Sequence, residues 1–389
     1  MIGIEERNAV LRVLDSGILS GYRGAWGDDF YGGPEIKALE KEWVEYFGVK
    51  HAIACNSATS GLWMACAAIG LQQDYQTIQR KNYYKPNPHI FIPEEVCFTE
   101  YHPDEVIVTP YSMTCSASIP LHFGAKPVFA DIEEDYYCLD VKSIEERITE
   151  RTKAIIVVDL FGMPYNADAI NELAERKGKE YGHKIYVIED TAQAIGAKYK
   201  GKYAGTLGDI GVFSLNFHKH IHCGEGGIVV TNDDELAMKL RLVANHSEAV
   251  INDIYRQSNE TQQWLMTDVY TQLVGLNLRM TEIQAAIARE QLKKLNGILK
   301  KIRYYAANSF NIDVRPDCDP AYYRYAWMSY NESEFEYYKK RSEFEVKKHY
   351  IKPIYQMPLF QSLGYDQHSC PVCEKVDENI VLAWLKDMP

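Results

Sequence analysis

Apolar residues recur every three or four positions from Pro34 to Phe47, with Ile36, Leu39, Trp43 and Tyr46 or Phe47 forming one stripe. That spacing predicts a helix, with Pro34 at its first position and Gly48 as its stop. The pattern then changes. His51-Ala-Ile-Ala-Cys55 is a continuous apolar run, as in a buried strand. A polar turn follows, Asn56-Ser-Ala-Thr-Ser60, and then a helix through Leu62, Ala65 and Ile69. From residue 104 the two patterns alternate. Strands are predicted at Glu105–Thr109, Lys126–Asp131, Lys153–Leu160, Ile185–Asp190, Gly211–Leu215 and Gly227–Thr231. Helices are predicted over 114–123 and after Asn166, read as a cap, through Ile170 and Leu173. Unbroken apolar strands separated by helices imply a sheet covered on both faces. The short gap between the last two strands predicts an antiparallel pair. A long helix is expected from Thr281, with Ile283, Ala286, Ile287 and Leu292 inward.

The fold class is therefore α/β, a mixed and mostly parallel sheet flanked by helices. A large domain is expected over 1–265. A linking helix and a small α/β C-terminal domain are expected over 266–389. Residues 70–103, rich in proline and tyrosine with little periodicity, read as an insertion. The net charge of -12 argues against a nucleic-acid partner, because polyphosphate backbones would be repelled. No stretch has the length and apolarity of a membrane span, and the first residues lack the features of a secretion signal. Nine scattered cysteines suit free thiols in a reducing cytoplasm better than a disulfide framework.

Three segments carry candidate chemistry. Lys219 lies between two apolar strands in a glycine-flanked connection. A lysine buried there is costly unless it is neutralised or covalently linked, as to an aldehyde cofactor; a plain solvated loop lysine is the alternative. Ser214, five residues earlier, can donate to a phosphate. Asp190 ends an apolar strand, at the sheet edge where open α/β folds bind ligands. Its carboxylate can pair with a protonated pyridine nitrogen, and Gln193 can bond the ring oxygen; a helix cap is the alternative. Asn56-Ser-Ala-Thr-Ser-Gly61 opens a helix, so Thr59 and Ser60 are candidates either for a phosphate or for simple capping. A phosphate cradle, a ring-nitrogen acid and a cofactor lysine agree in one order along the chain.

In that order the segments resemble the DegT/DnrJ/StrS family of pyridoxal 5'-phosphate (PLP)-dependent sugar aminotransferases, with an aspartate-aminotransferase-like, fold type I architecture. The likeness includes Gly33-Pro-Glu-Ile-Lys-Ala-Leu-Glu40, Val106-Ile-Val-Thr-Pro110, Gly124-Ala-Lys-Pro-Val-Phe-Ala-Asp131, Glu189-Asp-Thr-Ala-Gln193, Ser214 to Gly227 and Asn277-Leu-Arg-Met-Thr281. The resemblance implies that Lys219 carries PLP and acts with Asp190 in catalysis. It implies that Thr59, Ser60, Ser214 and Gln193 hold the cofactor, and that Asn277 reaches the phosphate of a neighbouring subunit's cofactor in a homodimer with shared sites. Arg279 falls where substrate is handled. By spacing, Cys115 stands where relatives place an aromatic over the cofactor ring. Relatives also lack the insertion at 70–103, and they usually continue further past Leu382-Ala-Trp-Leu385. Family members that dehydrate sugars carry histidine in place of the lysine; Lys219 therefore points to transamination. The implied reaction gives a nucleotide-linked keto-deoxysugar an amine, with glutamate as donor. A cyclitol or amino-aromatic precursor as acceptor, or a PLP-binding protein without turnover, are the other readings.

His218 and His220 flank the lysine and are read as substrate-phosphate contacts. With His222 and Cys223 they also have metal-ligand character, but no metal is expected. Cys370-Pro-Val-Cys373 is read as two unrelated thiols, and Tyr322, Tyr323, Tyr325 and Trp327 as packing.

Overall fold

The computed structural model describes residues 2–71, 103–249, 273–365 and 368–386 of the chain. The insertion read at 70–103, apart from its ends, and the domain boundary read at 265 lie outside the described residues.

Helix α1 (Ile4–Ser16) precedes α2 (Pro34–Phe47), which begins on Pro34 and stops at Gly48 in the left-handed region, φ 68. Its apolar stripe is buried as the spacing requires. Strand β1 (His51–Cys55) leads through the cap residue Ser57 into α3 (Ala58–Ala68). Then follow β2 (Glu105–Val108), α4 (Cys115–Ser118), β3 (Lys126–Phe129), α5 (Val141–Glu145), β4 (Thr152–Val158), α6 (Ala167–Tyr181) and β5 (Tyr186–Asp190). A short hairpin of β6 (Lys198–Tyr199) and β7 (Lys202–Tyr203) leads to β8 (Ile210–Ser214), β9 (Gly227–Thr231) and α7 (Asp234–Ala244).

Two local expectations are corrected. The helix expected over 114–123 is α4 followed by a 3-10 turn at Ile119–Phe123. Pro120 has no N–H to give the preceding turn, so the segment tightens. Asn166 does precede α6, but its side chain makes no cap bond; only its carbonyl serves, accepting from the Ile170 N–H at 3.1 Å.

The main sheet has seven strands in the order β1-β9-β8-β5-β4-β2-β3. Strands β3, β2, β4, β5 and β8 run parallel, whereas β9 is antiparallel to both β8 and β1. Alternate residues serve opposite faces, as the strand period demands. Ile53, Val108, Ile156, Ile188 and Val212 pack under α3 and α7. Ala52, Ala54, Phe213 and Ile228 pack under α2 and the long helix α8 (Glu282–Ser309). Ile107, Ile155 and Val157 pack under α6. Thr281 opens α8 with a reciprocal capping box to Gln284. Glu282 also reaches back to accept the N–H groups of Gly33 (3.0 Å) and Glu35 (2.7 Å), so one carboxylate ties α8 to the start of α2.

Beyond α8, β10 (Cys318–Asp319) pairs with β6. A second sheet, β11 (Tyr325–Met328), β13 (Ile380–Leu385) and β12 (Phe344–Lys348), is antiparallel throughout, with α9 (Glu332–Lys339) before β12 and α10 (Pro371–Asn379) before β13. It has its own core of Tyr325, Trp327, Phe344 and Leu385 against Ile302 and Ala306 of α8. Ala326, Tyr355, Val376 and Leu382 instead join the core beneath α3.

Candidate active site

Because β5 and β8 are parallel neighbours, Asp190 and Ser214 end at the same edge of the sheet. The loop after Ser214 folds on itself before β9. The Leu215 N–H reaches the Gly226 carbonyl at 2.8 Å, and the Lys219 N–H reaches that of Asn216 at 2.9 Å. Lys219 is only 9% exposed, which removes the solvated-loop alternative. Its ammonium lies 4.4 Å from the centroid of the Tyr323 ring, a cation–π contact. His220 is buried, and its Nε2 lies 2.9 Å from the Ala321 carbonyl oxygen, a contact only an N–H can make. Burial pushes its pKa down to about 4 against the pull of that carbonyl, with the charges of Lys219 and Arg324 acting in the same direction as burial. His220 is therefore neutral and anchors the loop. His218 is exposed, its ring 3.6 Å from that of Phe217.

Asp190 is buried and begins no helix; turns follow it, which excludes the cap alternative. The Ser116 hydroxyl donates to Oδ2 at 2.9 Å and the Ala192 N–H to Oδ1 at 3.1 Å. Burial raises the carboxyl pKa, while those two donors and the charge of Lys219 hold it down. An acid so placed gains from a facing cation. Cys115, next to Ser116, is half-buried; burial first and the Asp190 charge second lift its thiol to about 11, against hydrogen bonds with Thr59 and Ser116. Gln193 accepts the Phe161 N–H at 3.0 Å and donates to the Tyr350 hydroxyl at 3.2 Å. Phe161 sits at φ 56, a conformation this bond helps to hold.

The third segment lies against the second and first. Gly227 pairs with both Cys55 and Ser214, and a Cβ on it would stand 2.6 Å from the Ser57 carbonyl carbon. Only glycine allows this approach, which sets Ser214 beside the start of α3. Ser57 is the cap of α3, its Oγ accepting from the Ser60 N–H at 3.1 Å. The Ser60 hydroxyl bonds Asn56 Oδ1, and Thr59 is exposed. The capping alternative for Thr59 and Ser60 thus falls to Ser57. The first N–H groups of α3 have no carbonyl within the helix to bind, as at any helix start.

The Asn56 N–H bonds the Leu278 carbonyl at 2.8 Å, bringing the segment of Asn277 and Arg279 to this edge. Asn277 is exposed, but its Oδ1 accepts from Arg279 Nε at 2.9 Å, and Arg279 also donates to Asn245 Oδ1 at 3.1 Å. Several neighbours of the site were not singled out for it in the sequence: Ser116, Phe161, Tyr350 and Arg324, with Tyr323 read only as packing. Gly162, at φ 96, admits the Tyr322 and Tyr323 backbone so closely that a Cβ would meet Tyr322 N at 2.5 Å. That contact is what brings Tyr323 to Lys219.

A carboxylate that gains from a cation, an amide, a buried amine and a hydroxyl-rich helix start fit a phosphorylated pyridine aldehyde. The close approach at Gly227 brings the end of β8, with Ser214, near the start of α3. Fold and site together define an α/β enzyme of the PLP-dependent aminotransferase class.

Over residues 15–84 and 98–387 the chain matches the model of the DegT/DnrJ/EryC1/StrS aminotransferase family, and it belongs to that family. It is 35% identical over 291 residues to the GDP-perosamine synthase of Caulobacter vibrioides, covering 75% of this chain and 62% of that one. It is 30% identical over 363 residues to the UDP-N-acetyl-3-dehydro-alpha-D-glucosamine 3-aminotransferase of Acidithiobacillus ferrooxidans, covering 90% and 83% respectively. The crystal structure of S. venezuelae DesV in complex with a ketimine intermediate superposes with a TM-score of 0.74 at 26% identity, covering 98% of this chain and 89% of that one. No helix among the described residues is long and apolar enough to cross a membrane.

Proposed function

We propose that this enzyme transfers an amino group, with glutamate as donor, to the keto carbon of a nucleotide-linked deoxysugar. The relatives named above act on GDP- and UDP-linked sugars by their names. The observation that carries the reading is the meeting of Lys219, Asp190, Cys115 and the α3 start at one sheet edge, from four separate stretches of chain.

Thr59, Ser60, Ser214 and the first N–H groups of α3 would hold the phosphate of PLP. Gln193 would bond its ring oxygen, and Cys115 would lie against the ring. Once bound, PLP supplies an electron-accepting ring that lets a proton leave the carbon bearing the amine. Lys219 Nζ is the base that takes the donor's α-proton, and it returns a proton to the sugar carbon that gains nitrogen. Asp190 keeps a proton on the ring nitrogen, and Ser116 and the Ala192 N–H fix its two oxygens. His218 and Arg279 would contact the substrate. His220, with its one N–H spent on Ala321, positions the lysine loop.

The working unit is a homodimer, with Asn277 completing the partner's phosphate site. Exposed Met113, Phe217, Val274 and Leu276 lie on the same segments as Cys115, Lys219 and Asn277 and suit a covered face. Within each subunit, residues 1–265 form the cofactor domain and 266–389 the linking helix and small domain. Eight free cysteines among the described residues suit a reducing cytoplasm.

Lys219→Ala should keep its melting temperature yet lose amino transfer by at least about 100-fold. Borohydride reduction of the cofactor-loaded wild type should leave a pyridoxyl mass on the Lys219 peptide. Wild-type turnover by the variant, or the label on another lysine, would sink the proposal.

A further inference from the structure

The largely buried guanidinium groups of Arg241, Arg289 and Arg315 are matched by carboxylates: Glu40, Glu35 with Glu42, and Glu133 respectively. Arg324 is not. It is half-buried next to the lysine loop, and among the described residues no carboxylate forms an ion pair with it. Its guanidinium carbon lies 4.1 Å from the Tyr323 ring centroid and 4.8 Å from that of Trp384. Its hydrogen bonds are to the Tyr323 carbonyl (2.8 Å) and, at 3.4 Å, to the Tyr323 hydroxyl. An arginine presents five N–H donors, so most of this fork is free. Burial lowers its pKa, and the acid that acts on it is Glu345, exposed on β12.

The placement is as telling as the missing partner. Tyr323 carries two cations on one ring: Lys219 at 4.4 Å and Arg324 at 4.1 Å from its centroid. The fork is therefore held one ring away from the amine that exchanges protons. His218, His220, Tyr323 and Trp384 line the same recess. His220 is neutral there, so nothing from its ring competes for an anion. A stacked, half-buried guanidinium with no ion-paired carboxylate among the described residues suits a substrate anion better than a structural ion pair.

We propose that Arg324 anchors the anionic group of the transamination substrates, placing the reacting carbon beside Lys219. The inference rests on the aminotransferase reading above. Two anions share this chemistry, the carboxylate of the amino donor and the diphosphate of the nucleotide sugar, and the two half-reactions separate them.

The test uses cofactor-loaded wild type, Arg324→Lys, which keeps the charge but not the fork, and Arg324→Met, which keeps the packing on both rings. Melting temperatures establish that the variants are folded. L-glutamate is titrated by the spectral change of the donor half-reaction, and UDP, dTDP and GDP are titrated calorimetrically. Arg324→Met should raise the constant for glutamate, for a nucleoside diphosphate, or for both, by roughly 10- to 100-fold. Arg324→Lys should recover only part of it, and in a third variant, Arg324→Ala, which leaves room for the fork, added guanidinium should restore binding. A rise for glutamate alone identifies the donor carboxylate as the anion; a rise for a diphosphate alone identifies the nucleotide. Unchanged constants for every probe in folded Arg324→Met overturn the proposal. So does a loss confined to the maximal rate, which marks a role in positioning Tyr323. A wild type that binds these anions but transfers no amine to any ketosugar defeats the functional reading and leaves this inference standing on the calorimetry.

Discussion

At the scale of single residues, Cys115 tests the layout of the site most directly. Its thiol is lifted to about 11 by burial and by Asp190, so it is almost wholly protonated at neutral pH. Only the thiolate alkylates. Iodoacetamide should thus modify Cys115 slowly at pH 7.5, with the rate rising roughly tenfold per pH unit toward pH 10. PLP loading should protect it. Peptide mass spectrometry follows both effects, and fast labelling at neutral pH, or labelling indifferent to PLP, would show that this thiol does not lie against the cofactor. Cys115 was reached in the sequence only through spacing from Pro110, by family likeness. Lys219, Asp190 and Ser214 were readable because each ends or joins a strand whose apolar run is unmistakable. Ser116, Tyr350 and Arg324 were not: they come from a short helix and from irregular chain, and their meaning is set by what lies across a gap of seventy residues or more. Ser116 reads as an ordinary small residue until Asp190 is seen beside it.

Among the elements, the close approach of β9 to α3 is the feature on which the proposed phosphate cradle depends. A methyl group at Gly227 would press on the Ser57 carbonyl carbon at 2.6 Å and the Ala58 nitrogen at 2.7 Å, both backbone atoms that cannot swing aside. Gly227→Ala should therefore push the α3 start outward, weaken PLP binding by tenfold or more, and destabilise the fold by about 1–3 kcal/mol. Gly297, in the middle of α8, has open space where its Cβ would be. Gly297→Ala should instead stabilise by about 0.5–1 kcal/mol, because glycine is a poor helix residue. Urea unfolding and fluorescence titration with PLP read the two variants side by side. Equal effects of opposite expectation, such as a harmless Gly227→Ala, would mean that α3 is free to shift. The strand and helix periods predicted these elements to within two residues in the main sheet. They said nothing of Glu282, whose carboxylate crosses from α8 to cap the glycine-led start of α2, since such a contact joins positions far apart in sequence.

On the scale of the whole molecule, the question is whether one chain makes a complete site. Within the subunit Asn277 is not idle: it bonds Arg279 and forms a bridge with Asn245. Those contacts would equally well hold it for use by a neighbour. Symmetry turns this into a decisive measurement. In a twofold dimer with shared sites, a Lys219→Ala subunit mated to an Asn277→Asp subunit places both defects in one site and leaves the other site wholly native. If each parent is inactive, random re-pairing of equal amounts makes half of the dimers mixed, each with one working site. The mixture should therefore regain roughly a quarter of wild-type activity. If Asn277 serves its own subunit, each site of every dimer keeps one defect and mixing recovers nothing. Assaying the mixture before and after dissociation and re-pairing distinguishes the two. An aspartate is the better substitute than alanine, because its charge opposes a phosphate while leaving an oxygen for Arg279, so loss of activity reports on the anion across the interface rather than on a loosened loop.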